Sequence, residues 1–410
     1  MTILENQQAA EPIDMLYQDL EEVLMRNIIR HLRDYDQPID SDEWLMKKLA
    51  EIGKLNQENL QLIARYSGIS QTAALRMLEA VAESVLGEVE PCFRHVVRDG
   101  LTDVAMAAEK SRNVKQVMKG LREQAKKTLN LCNTTMLYKA KDAYQELVQT
   151  TAEKAQEYLD LMNRGAAEVV TGAQSRQQVL RQTIRRFNDK GIPAFVDRAG
   201  RNWTPEAYVN MAMRTTAGSV ADQIQEARCR DYGINLVQID SHPGARPKCA
   251  KDQGKIFDLN NGEGETTDLH GKKIRYYPWN SSSYGEPDGI LGINCGHHRW
   301  PFIPGVNAQR YFPTEDMDTN NRLYRQIQNQ RALEREVRRQ KRECMLFDEL
   351  GDEEAFQQAS KELKEKERVL SQYVKSHKEL HRRKDREQVV GFDKRIAAKA
   401  VAAGKNKGGE

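Results

Sequence analysis

Hydrophobic residues recur three and four apart through most of the first 190 positions, a period that predicts amphipathic helices. Ile13, Leu16, Leu20, Val23, Leu24 and Ile28 form one stripe; Trp44, Leu45, Leu49 and Ile52 form the next, with Asp40 or Ser41 as its cap. Leu60 and Ile63 precede Gly68, which reads as a helix end, and Ser70 then caps a further helix with Leu75, Leu78, Val81, Val85 and Leu86. That helix is expected to stop near Gly87 and Pro91. From Ser111 to Met162 the period resumes through Val114, Val117, Met118, Leu121, Leu129, Met136, Tyr144 and Leu147. Each stripe is read as core packing.

The period breaks where Gly191, Pro193, Gly200 and Pro205 arrive close together. Thr204 and Pro205 start a helix that Gly233 ends, and the alternation in Ile234–Ile239 predicts a half-buried strand. Short strands are expected at 255–257 and 273–277, with loops elsewhere in a stretch rich in proline, tryptophan and histidine. Beyond it the helical period returns through Leu323, Ile327, Leu333 and Val337 until Gly351 caps it and Asp352 starts the next helix. Phe356, Ala359, Leu363, Lys366, Leu370, Tyr373, His377 and Leu380 then follow heptad steps, with Lys366 and His377 weakening the seam. The expected architecture is mostly α with a small central α+β module. It comprises an N-terminal helical region (1–190), the central module (191–313), a C-terminal helical hairpin or coiled-coil arm (314–390) and a flexible basic tail (391–410).

Composition narrows the function classes. The 410 residues carry 63 Lys and Arg against 60 Asp and Glu, so a net charge of +3 offers no global field for nucleic acid. With 30% charged residues and a mean hydropathy of −0.74, long solvated helix faces are expected. No apolar run is long enough to span a bilayer, and the acid-bearing N-terminus lacks the apolar core of a secretory signal. Six cysteines are too few for a disulfide scaffold, which points to a reducing compartment and to free or metal-bound thiols.

Candidate chemistry concentrates in the central module. His242, Cys249, Cys295 and His297 (or His298) supply the two-Cys, two-His donor set of a tetrahedral structural zinc, although no CxxC pair is present. The competing reading is that both thiols are small buried hydrophobes and the histidines bond to backbone carbonyls; a catalytic metal with an open position is a third. Ser241 beside His242, or Cys249 with a distant histidine, lacks the context of a hydrolase nucleophile. No phosphate-binding glycine loop is present, and the basic runs Arg335–Arg342 and His381–Arg386 are interleaved with acids, leaving weak DNA contact as an option.

Arg214-Thr215-Thr216, the run SHPGARPKCAKDQGKIF at 241–257 and the run YYPWNSSSYGEPDGILGINCGHHRWPFIPG ending at Gly305 resemble the phage minor capsid protein 2 family. That family is related to the Mu-type F-like head morphogenesis proteins. Tyr324, Gln328, Gln330, Arg331, Leu333, Glu334, Arg335, Arg338 and Lys341 extend the likeness. The resemblance implies a non-enzymatic, low-copy head protein of the virion, assembled in the host cytoplasm. It also implies contact with the portal or major capsid protein, in several copies, during head assembly or DNA packaging and delivery, without a membrane anchor. Arg214, Arg246, Gln253, Gly254 and Asn294 become structural motif residues, and Asn294-Cys295-Gly296-His297 stands where relatives end in Asn-Cys-Arg-Cys. The alternative function is a metal-assisted hydrolase or nuclease built on the same Cys/His cluster.

Overall fold

The computed structural model describes residues 3–33, 41–98, 100, 107–163 and 176–405. It is mostly α-helical with a small sheet module, as the hydrophobic period predicts. The first helices are α1 (Ile3–Arg30), α2 (Ser41–Ala50), α3 (Ile52–Arg98), α4 (Arg112–Asn163) and α5 (Arg176–Lys190). Asp40, one of the two candidate caps of α2, lies outside the described residues.

Gly68 and Pro91 do not end a helix: α3 runs through both. A helical glycine costs about 1 kcal/mol relative to alanine and an interior proline about 3. The same helix buries Leu78, Val81, Val85, Val89, Phe93 and Val96. Each is worth about 1.5–3 kcal/mol, so burial outweighs both breakers.

The remaining elements are β1 (Phe195–Val196), β2 (Asn202–Trp203), α6 (Pro205–Asp231), β3 (Leu236–Ile239), α7 (Pro247–Ala250), β4 (Ile256–Asp258), β5 (Gly264–Thr267), β6 (Lys273–Pro278), β7 (Arg299–Pro301), α8 (Met317–Leu350), α9 (Glu353–Lys375) and α10 (Lys394–Lys405). The chain forms two compact units, each assembled from three stretches. One comprises Met1–Asp14, Ser70–Leu129 and Val209–Gln328; the other comprises Met15–Ile69, Asn130–Tyr208 and Asn329–Glu410.

The first unit holds a five-stranded sheet in the order β5-β6-β4-β3-β7, antiparallel except where β4 pairs with β6. Leu236, Ile256, Ile274 and Phe302 make its apolar core, with Tyr276 packed against them. Strand β3 is buried at every position rather than half-buried, Gln238 included. The Gln238 side chain escapes the desolvation cost by donating to the carbonyls of Gly254 (3.1 Å) and Tyr311 (2.9 Å) and accepting from the Arg310 N–H (3.0 Å). Strands β5 and β7 escaped the sequence reading, because one (Gly-Glu-Thr-Thr) holds no apolar residue and the other is three residues long.

The second unit contains the hairpin of α8 (from Asn329) and α9. Gly351 takes φ +83°, and the Asp352 side chain accepts from the Ala355 N–H at 3.0 Å, so the predicted stop and start are both present. Of the heptad positions, Phe356, Ala359, Leu363, Leu370 and Leu380 are buried. Lys366 turns out to Glu336 at 3.2 Å, and His377 lies beyond the end of α9. Instead of a flexible tail, residues 394–405 form α10, which packs on α9 by burying Ile396 and Ala400. No helix among the described residues is long and apolar enough to cross a membrane.

Candidate metal centre

The site grows from two loops of the first unit. After β3, Asp240 leads into His242 and Pro243, and Gly244 turns the chain at φ +63°. That left-handed φ is what favours glycine here; a Cβ would also lie 2.8 Å from the movable end of the Ile327 side chain. Arg246 then takes an extended conformation ahead of Pro247, whose fixed φ starts the single turn α7, and Cys249 is buried in that turn. The Gly254 φ is +74°, and a side chain there would meet the backbone of Tyr311 and Phe312 at 2.9 Å.

The second loop approaches β7. Cys295 closes a tight turn by donating its N–H to the Gly292 carbonyl at 3.0 Å, with Leu291 and Asn294 both at positive φ. Asparagine tolerates that region, whereas leucine carries a cost of about 1–2 kcal/mol. Two bonds tie the turn down: the Asn294 N–H donates to Thr215 Oγ1 on α6 (3.2 Å), and Arg246 Nη2 donates to the Ile293 carbonyl (3.0 Å).

These loops bring three of the four candidate donors together. One ligand atom from each of Cys249, Cys295 and His297 lies within 4.8 Å of the others. The two sulfurs are 3.9 Å apart, and Cys295 Sγ is 3.4 Å from His297 Nδ1. His242 stands beside the trio without joining it. Its ring lies 4.3 Å from that of His297, but its Nδ1 faces the carbonyl of Pro243 at 3.1 Å. His298 serves elsewhere: its backbone pairs with Asp240, donating to Oδ1 and accepting from the Asp240 N–H.

The electrostatics separate the two thiols. A hydrogen bond from Cys249, with a second from His297, holds the Cys295 thiol well below its ordinary range, while the same Cys295 partner and burial push Cys249 up. Burial lowers His242 to about 4, with the neighbouring His297 acting in the same direction, and raises Asp240 to about 6.

The motif residues build the loops around the donors. Gln253 accepts the His242 N–H at 2.6 Å, and the Gly254 carbonyl accepts from the Gln238 side chain of β3 at 3.1 Å. Arg214 lies on α6, one residue before Thr215. The sequence reading missed Asp252, whose carboxylate takes the N–H (2.9 Å) and hydroxyl (2.7 Å) of Ser283. It also missed Arg299, which joins β7 to Asp222 and Glu226 of α6. An arginine immediately after His-His, with acids four apart on a helix, was the available signal. Ser241 Oγ is buried with no hydrogen-bond partner among the described residues, so it lacks the bonded base of an activated nucleophile.

A family model for phage minor capsid protein 2 matches residues 5–375. The chain is 25% identical over 356 residues to a structural protein of Lactococcus phage LL-H, covering 84% of this chain and 88% of that protein. It is 30% identical over 111 residues to a structural protein of Lactococcus phage mv4, covering 27% of this chain and 88% of that protein. No solved structure matches the chain. The chain belongs to the phage minor capsid protein 2 family.

Proposed function

We propose that this phage structural protein docks onto the portal or the inner capsid wall through its helical faces, in several copies, while the head assembles in the host cytoplasm. The observation that supports it most is the family match, which takes in helical and sheet-bearing segments alike rather than one motif. A catalytic role has less behind it, since the central loops form bonds that hold backbone in place and Ser241 is not activated.

Within the second unit, α4 offers a face suited to docking. Leu131 and Tyr138 are two turns apart, 47% and 63% exposed, and the intervening Thr134 and Thr135 are uncharged. An apolar strip on an otherwise charged helix is the kind of surface a partner covers. Direct DNA binding is a poorer reading of the basic α8 run, because Arg338 pairs with Glu206, Arg339 with Asp189 and Arg342 with Glu21.

The test is capture of purified portal and major capsid protein by the full chain, with a Leu131→Asp/Tyr138→Asp variant alongside. Capture of one of them by the wild type, weakened in the variant at unchanged helical circular dichroism, supports the reading. Failure of the wild type to retain either protein overturns it.

A further inference from the structure

The donor atoms of Cys249, Cys295 and His297 lie within 4.8 Å of one another, a spacing that three ligands of one metal ion can share. Zinc sits about 2.3 Å from cysteine sulfur and about 2.0–2.1 Å from histidine nitrogen. With tetrahedral angles, those bond lengths place two sulfurs about 3.8 Å apart and a sulfur and nitrogen about 3.6 Å apart. The observed separations are 3.9 Å and 3.4 Å. A disulfide needs sulfurs about 2.05 Å apart, which would require these two to close by almost 2 Å.

His297 itself argues against a purely packing role. The residue is 3% exposed; Nδ1 faces the Cys295 sulfur, and Nε2 has no hydrogen-bond partner among the described residues. A buried imidazole kept for stability alone would be bonded to a backbone carbonyl or a carboxylate, since an unmet polar atom costs about 1–3 kcal/mol. Here the polar atom that Nδ1 meets is a thiol that is itself a metal donor. The charges also balance, because two thiolates and a divalent cation sum to zero and can stay buried together.

We propose that Cys249, Cys295 and His297 bind a structural zinc ion, and that His242 completes the tetrahedron by turning from the Pro243 carbonyl. The ion clips the α7 turn to the loop ahead of β7, two segments 46 residues apart in sequence. Its binding releases the thiol protons, and its affinity therefore rises with pH. The proposal is independent of which virion protein the chain contacts.

The test uses the full chain, purified under reducing conditions without chelator. Elemental analysis is expected to give one zinc per chain, and Cys249→Ser and Cys295→Ser to give almost none. Cobalt(II) replacing zinc in the wild type is expected to show thiolate charge-transfer and tetrahedral d–d bands. His242→Ala is expected to retain the charge-transfer band while weakening zinc binding about tenfold or more. Should the cysteine variants fail to fold, stoichiometric zinc release from the wild type by a thiol-binding mercurial supplies the same support. A zinc-free chain without a cobalt band after metal exposure, or a Cys249–Cys295 disulfide in the native protein by mass, overturns the site. An unchanged zinc affinity in His242→Ala overturns its place as fourth ligand.

Discussion

Replacing Arg299 with methionine should cost stability in a way that depends on pH. Arg299 and Asp222 are both almost fully buried; Arg299 Nη2 donates to Asp222 Oδ2 at 2.9 Å, and Nε faces Oδ1 at 2.5 Å. Glu226 bonds the same guanidinium. Burial already raises the Asp222 carboxyl above its ordinary range, while Arg299 pulls it down. Without the arginine, Asp222 has no cation to offset desolvation and folds as the neutral acid. An unfolded aspartate titrates near pH 3.9, so holding it protonated costs about 1.36 kcal/mol for each pH unit above that value. The cost to the variant is about 4 kcal/mol at pH 7 and about 1.5 kcal/mol at pH 5; because Asp222 is raised in the wild type too, these are upper bounds on the difference between the two proteins, against the roughly 3–5 kcal/mol typical of a broken buried pair. The sign follows: a raised acid in the folded state means stability lost as pH climbs through and above the unfolded value. Urea unfolding of wild type and Arg299→Met at both pH values, followed by tryptophan emission, measures the difference. The guanidinium carbon lies 5.2 Å from the Trp279 ring, so that reporter senses the substituted site. Adding Asp222→Leu should recover most of the loss. Equal losses at pH 5 and pH 7, or a loss under about 1 kcal/mol at pH 7, would refute the reasoning.

Three further outcomes follow from single side chains. Gly254→Ala forces a Cβ onto a φ of +74° and into backbone 2.9 Å away; a loss of about 2–4 kcal/mol in urea unfolding is expected, and a neutral result would count against the close approach. Asp352→Ala removes the cap of α9 and both hydrogen bonds from Arg181 (2.6 and 2.7 Å), costing about 2–4 kcal/mol. Burial pushes Asp352 up, but Arg181 and the Ala355 N–H outweigh it and leave it lowered, so the wild-type contribution should fade as pH drops through the carboxylate range. Glu22 is raised by burial to about 7, with Asp19 and Glu21 adding to the rise and the Gly391 N–H and Arg342 opposing it. The wild type should therefore lose stability as pH rises from about 4.5 to 7, and Glu22→Gln should remove that slope and gain up to about 3 kcal/mol above pH 7. A wild-type melting temperature flat across that window would contradict it.

The sequence was most legible where one periodic signal decided the structure. The stripe Ile13–Leu20–Leu24–Ile28 is buried as its spacing requires, and the Gly351-Asp352 break is a cap pair whose chemistry is local. It misled where a local signal met a tertiary force: Pro91 breaks helices in isolation, but Val89, Phe93 and Val96 bury enough surface to carry α3 past it. The same competition explains α10, where a basic, alanine-rich segment with little apolar content becomes ordered because Ile396 and Ala400 pack against α9. For the candidate site, residue types were visible and geometry was not. Nothing in the spacing of His242 and Cys249 shows that the histidine ring stops at the Pro243 carbonyl while His297 reaches the sulfurs. That placement depends on Gly244 fitting against Ile327 and on Thr215 and Arg246 bonding the Gly292–Cys295 turn. All of these contacts bridge residues far apart in the chain. A donor set assembled from two loops is therefore a property of the folded sheet module, and the sheet itself rests on pairings such as β4 with β6 that no local pattern encodes.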